Sequence, residues 1–197
     1  MVLSRLLKIK GMQQTKMAIK DLFWDTRKYI LAWVLRHILV VAIIFWMIVI
    51  FGFSSQDATE SASLSDKIAD RIIEYTHPEF DKLSLKEQEE IKNTTSFVVR
   101  KLGHFGEYTI LGMLVGVLLL TFDTIRRKLS YIWISEIFGI VYAVTDEVHQ
   151  GFVEGRSPQI RDVFIDSFGF LSALLFLVIT VGMYKIMIGI SKQYIPK

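Results

Sequence analysis

The chain has 197 residues, 52% of them hydrophobic, a formal net charge of +3 and no cysteine. At that length it reads as one domain, and its apolar runs are too long for the helices of a soluble core, so a lipid bilayer and not nucleic acid is the expected partner. Without cysteine, disulfides, thiolate catalysis and cysteine-ligated zinc or iron–sulfur sites are excluded.

Residues 1–29 form a basic cytoplasmic or interfacial segment, with Arg5, Lys8, Lys10, Lys16, Lys20, Arg27 and Lys28 ahead of the first apolar run. Leu3, Leu6, Leu7, Leu22, Phe23 and Trp24 among those charges suit a helix lying on the inner leaflet. A first span follows at about 30–53, including the run ILVVAIIFWMIVIFGF. No small-x-small exit follows it, so it is expected to be a retained anchor.

Residues 54–96 carry ten acidic and five basic side chains and form an external helical insertion. Leu64, Ile68, Ile72 and Tyr75 share one helical face over 60–76, and the HP pair at 77–78 ends it. SLKE, Ser84 to Glu87, is a capping box starting a helix that runs on into a second span at about 97–122. A basic DTIRRK loop, a third span at 130–149, a fourth at 162–188 and a lysine-bearing tail complete the chain. The expected fold is an all-α membrane protein with four transmembrane helices, spanning 30–190, with both termini cytoplasmic.

In that topology the polar clusters meet on the outer face. Arg100, His104 and Glu107 fall on one side of the second span, about 10 Å separating Arg100 from Glu107 along the axis. Asp146 and Gln150 are four apart on the third span, Asp162 and Asp166 four apart on the fourth. The segment TDEVHQGFVEGRSPQIRDVFID, residues 145–166, joins these two spans and holds three Asp, two Glu, two Arg and one His. Ionisable groups at membrane depth face the bundle interior or water, so Glu107 and Asp166 are expected to form the floor of a polar site. Arg100, Lys101, Arg156 and Arg161 at its rim suit an anionic headgroup. The alternative is a clasp in which those arginines pair with Glu107, Asp146, Asp162 or Asp166 and hold helices together.

A metal is a further option, since His104, Glu107, Asp146, Glu147, His149 and Asp162 offer imidazole and oxygen ligands, although no spacing matches a specific zinc signature. Ser54 and Ser55 read as caps of the external helix. Gly103, Gly106, Gly112 and Gly116 read as small-residue packing positions.

The set RKLGHFGEY (Arg100, Lys101, His104, Phe105, Glu107, Tyr108), DEVHQ (Asp146, Glu147, Gln150), Gly155 with Arg156, Asp162 and Gly169, with SSQ closing the first span, resembles the VanZ-like family of membrane proteins associated with glycopeptide, chiefly teicoplanin, resistance. The resemblance covers about residues 30–180. Two positions depart from the family pattern: Glu154 stands where Pro is frequent, and Asp166 where Asn is frequent. The second departure ranks Asp166 below Glu107 and Asp146 as a required carboxylate. The resemblance implies a cell-envelope role at the bacterial cytoplasmic membrane and brings no defined reaction or cofactor.

The expected function is binding of an anionic or lipid-linked envelope component through Arg100, Lys101, Arg156, Arg161, Gln150, Asp162 and Asp166. Glu107, His104, Asp146 and Glu147 are the candidates for acid–base chemistry. The rival readings are a non-catalytic lipid-binding factor or scaffold and a proton-coupled carrier, the latter with only Glu136 to continue a path through the inner half.

Overall fold

The computed structural model describes the backbone of residues 2–122 and 130–194, and the side chains of residues 25–122 and 131–189. The DTIRRK loop, Lys192, Lys197 and the side chains of the first 24 residues, which carried part of the topology argument, lie outside these residues.

The described residues are helical, with no strand. Helix α1 is Val2–Ser54, α2 Ala58–Thr76, α3 Leu85–Leu120, α4 Ser130–Gln150 and α5 Ile160–Tyr194, with one 3-10 turn at Phe80–Lys82. The chain divides into two compact units, one ending at Val41 and the other beginning at Ala42. In the first, Tyr29, Ile30, Leu31, Trp33 and Ile38 are exposed, and His37 donates from Nδ1 to the Trp33 carbonyl at 2.8 Å.

Among the described residues, three helices are long and apolar enough to cross a membrane: Asp25–Ser54, Leu85–Leu120 and Ile160–Gly189. Helix α4 has 21 residues, about 30 Å of helix, but Glu136, Asp146 and Glu147 dilute its apolar run. The outward faces of α4 and α5 carry exposed apolar side chains, Trp133, Ile137 and Val141 on α4 and Phe164, Phe168, Phe176 and Ile179 on α5. Exposed apolar surface this continuous belongs in lipid, and the chain is a membrane protein.

Start and stop signals are local. Asp57 caps α2 by accepting from the Glu60 amide at 2.8 Å, so the cap is Asp57 and not Ser54 or Ser55. Helix α2 ends at Thr76, one residue before the HP pair. Ser84 and Glu87 form the expected capping box, and from there α3 continues without a break for 36 residues.

Within the second unit, Ile43, Ile50, Tyr108, Leu111, Ala143, Phe170 and Leu174 make the apolar core. Helices α3 and α5 approach closely because small residues meet backbone. A Cβ on Gly112 would lie 2.5 Å from the Phe170 carbonyl oxygen, and one on Gly169 would collide with the Phe105 carbonyl. Gly116 would strike Leu177. Gly103 and Gly106, by contrast, have nothing within 4 Å of an added Cβ. Only half of the expected glycine series is a packing seam.

Helix α2 lies against α3 through Ser65, Ala69 and Ile73, which are buried. Ser96 Oγ donates to Asp66 at 2.6 Å and Lys92 pairs with Asp70 at 3.0 Å. Leu64 and Ile68, on the neighbouring face, stay 48% and 45% exposed. The face that packs on α3 is therefore offset by one residue from the large apolar stripe, with the small Ser65 and Ala69 at the contact beside Ile73.

Candidate functional site

Helix α3 presents Arg100, His104 and Glu107 at intervals of four and three residues, hence on one face. They line a cavity of about 140 Å³ together with Ser54 at the end of α1, Leu64 and Ile68 of α2, Gly103, Asp146 of α4 and Arg156 of the α4–α5 loop. A second lobe of about 110 Å³ shares Ser61, Arg100, His104 and Arg156 and continues to Lys101, Gln150, Gln159 and Asp162. At roughly 30 Å³ per water, either lobe holds a few waters or one small polar group.

Arg156 is delivered by the backbone. Gly155 has φ +73°, a left-handed conformation open to glycine at no steric cost, and its Cα faces Ala58 at the start of α2. The Ala58 amide donates to the Glu154 carbonyl at 3.3 Å, tying the loop to α2. Arg156 then donates from Nη1 to Gln150 Oε1 at 3.1 Å, and Gln150 Nε2 donates to Asp146 Oδ2 at 3.2 Å. Ser54 is buried beside Asp146.

The clasp alternative does not form as expected. Among the described residues, no ion pair joins Arg100, Arg156 or Arg161 to a carboxylate; the close pair is Lys101 with Asp162, at 2.5 and 2.7 Å. Those two side chains are 13% and 8% exposed. Lys101 is thus engaged with Asp162 at the edge of the second lobe. Arg100 has a buried Nε with no hydrogen-bond partner. Burial and the neighbouring Arg100 push the Arg156 guanidinium below its ordinary pKa, against the pull of Asp146, Glu147 and Glu107. Two guanidiniums sharing one cavity wall, one bonded only to a neutral amide, form an anion-receptive pair.

Below them, His104 Nδ1 lies 3.5 Å from Asp166 Oδ1, a close approach without hydrogen-bond alignment. Asp166 is fully buried, and neither carboxylate oxygen has a hydrogen-bond partner in the structure. It stands behind His104 and is absent from the lining of both lobes, so the floor of the first lobe is Glu107 and Asp146, not Glu107 and Asp166. The Glu107 backbone carbonyl accepts from Trp46 Nε1 at 2.9 Å, which fixes α3 to α1 at this level.

Two expected site residues fall elsewhere. Arg161 is exposed, donates to Gln159 Oε1 at 3.0 Å and sits 4.9 Å from the Phe97 ring centroid. Glu147 is buried and accepts from the Gln159 amide at 2.7 Å just before α5, where a carboxylate complements the helix N-terminus. His149 stacks on Phe51 at 4.1 Å and bonds Ser55. No group of three or more His, Asp or Glu among the described residues is arranged to hold a metal ion.

Several lining residues had not been singled out for the site: Gln56, Ser61, Val99 and Phe53, together with the roofing role of α2. Ser61, Leu64, Ser65 and Ile68 form a helical i, i+3, i+4, i+7 set, a signal that reading α2 only for its apolar residues hides.

A family model described as VanZ/LLP1 matches residues 38–181. The chain belongs to the VanZ/LLP1 family. That match reaches into every helix of the second unit and covers all of the cavity lining, so this VanZ-like site is built within the family's own domain. No curated protein and no solved structure matched the chain.

Proposed function

We propose that this VanZ-like protein acts in the bacterial cytoplasmic membrane as a four-span protein with both termini inside. Helix α4 serves as the third span, and the cavity opens toward the outer leaflet. There it binds an anionic component of the cell envelope, free or lipid-linked, and contributes to teicoplanin tolerance.

The observation that carries this reading is the Arg100–Arg156 pair, which shares both cavity lobes while the nearby Lys101 is already engaged by Asp162. Guanidiniums offer bidentate donors that suit phosphate or carboxylate. A scaffold alone gains little from two arginines on one cavity without a carboxylate partner.

Chemistry at this site would fall to Glu107 and His104. Asp166 Oδ1 lies 3.5 Å from His104 Nδ1, the nearest carboxylate to the imidazole on the side away from the cavity. Asp146 lies across the same lobe.

The test is teicoplanin susceptibility in a deletion strain complemented with wild type, Arg100→Gln, Arg156→Gln or Glu107→Gln, with membrane abundance read by immunoblot. Normal abundance with lost complementation in both arginine variants is the expected result. Full complementation by both, against a measurable wild-type effect, would reject the anion site. Glu107→Gln separates binding from acid–base work: loss of function with ligand binding retained assigns chemistry, and full function excludes it.

A further inference from the structure

The first lobe is not lined by polar groups alone. Leu64 and Ile68 of α2, between Ser61 and Ser65, line it together with Phe53 and Val99. Leu64 and Ile68 are nearly half exposed, and Phe53 is 41% exposed, so each reaches from the cavity to the outer surface. Phe53 closes the first span, so the apolar part of the lining is continuous with the lipid-facing surface through an apolar track leaving the cavity at Phe53.

A soluble anion would have no use for such a track. Its outer end belongs to a protein whose helices face lipid. We propose that the ligand of the arginine pair is an amphiphilic phosphate ester, whose head rests on Arg100 and Arg156 and whose hydrocarbon chain passes Leu64 and Ile68 and leaves the cavity past Phe53 toward lipid. This rests on the anion-site reading above and adds the ligand class and the residues that select it. Helix α2 is then a specificity element: the arginines recognise charge, and Leu64 and Ile68 distinguish lipid phosphates from soluble ones.

The chain-length dependence of binding tests this directly. Purified full-length protein in a neutral maltoside detergent is titrated calorimetrically with methyl, butyl, hexyl and octyl phosphate, which share one head and differ only in apolar area. Each buried methylene strengthens binding about fourfold, so with a chain only partly covered the affinity should rise at least about tenfold from methyl to octyl phosphate. Leu64→Ser with Ile68→Ser should flatten that rise, with an unchanged circular-dichroism spectrum and thermal transition verifying that the variant is folded. Arg100→Gln with Arg156→Gln should abolish binding of the whole series, separating the site from partitioning into the micelle.

A wild-type series with no dependence on chain length would overturn the chain track while the anion site stands. So would a rise that survives in the Leu64→Ser, Ile68→Ser protein, since the chain would then lie elsewhere. Absence of binding by every member, methyl phosphate included, would remove the anion site and the inference with it.

Discussion

At the scale of single residues, the decisive contrast is between Lys101, whose charge is matched by Asp162, and Arg100, whose buried Nε finds no partner. The first is structural. Removing one member of a largely buried ion pair leaves the other charge stranded, a loss of about 3 kcal/mol. Lys101→Met should lower stability by about that amount in detergent-unfolding titrations, and Lys101→Met with Asp162→Leu should recover most of it. Gly103 offers the opposite experiment. It lines the cavity, and an added Cβ meets nothing within 4 Å. Gly103→Leu should leave stability equal or higher, given the poor helix propensity of glycine, yet reduce phosphate binding at least about tenfold by filling the space. The grouping of Arg100, His104 and Glu107 was legible because helical spacing decides it. The choice of partner for each cation was not. Arg161 and Asp162 are adjacent and so point about 100° apart, which sends one outward to Phe97 and the other inward to Lys101.

At the scale of helices and their connections, glycines set both the core contact and the loop. Gly169→Val should cut membrane abundance several-fold on an immunoblot, because its side chain would occupy the position of the Phe105 carbonyl. Gly155→Ala should cost about 1–2 kcal/mol in the same unfolding titration, since φ is +73° and the new Cβ would lie 3.0 Å from that of Ala58. It should also weaken phosphate binding, because Arg156 is the next residue. The stop at the HP pair and the Ser84 capping box could be read directly from sequence, both being local devices. The side on which α2 packs could not. Apolarity pointed to Leu64, Ile68 and Ile72, whereas close approach to α3 was decided by Ser65 and Ala69, with the Ser96–Asp66 bond sealing it.

At the scale of the whole molecule, the proposed orientation is open to a simple test, because the chain has no cysteine. In intact cells a membrane-impermeant maleimide should label Tyr75→Cys, on exposed α2, and should label Arg27→Cys only after lysis. Labelling of both, or the reverse order, would overturn the topology. The length of α3 carries a further consequence. Its 36 residues make a rod of about 54 Å, against about 30 Å of hydrocarbon, and α2 is fastened to it by Ser96–Asp66 and Lys92–Asp70. Roof and arginine wall therefore ride on one stiff member. A bilayer thicker by about one helical turn, ~5.4 Å, would move its outer oil boundary along that rod by about half as much, nearly half the interval between His104 and Arg100. The site would then answer to the thickness of its membrane as well as to the charge of its ligand.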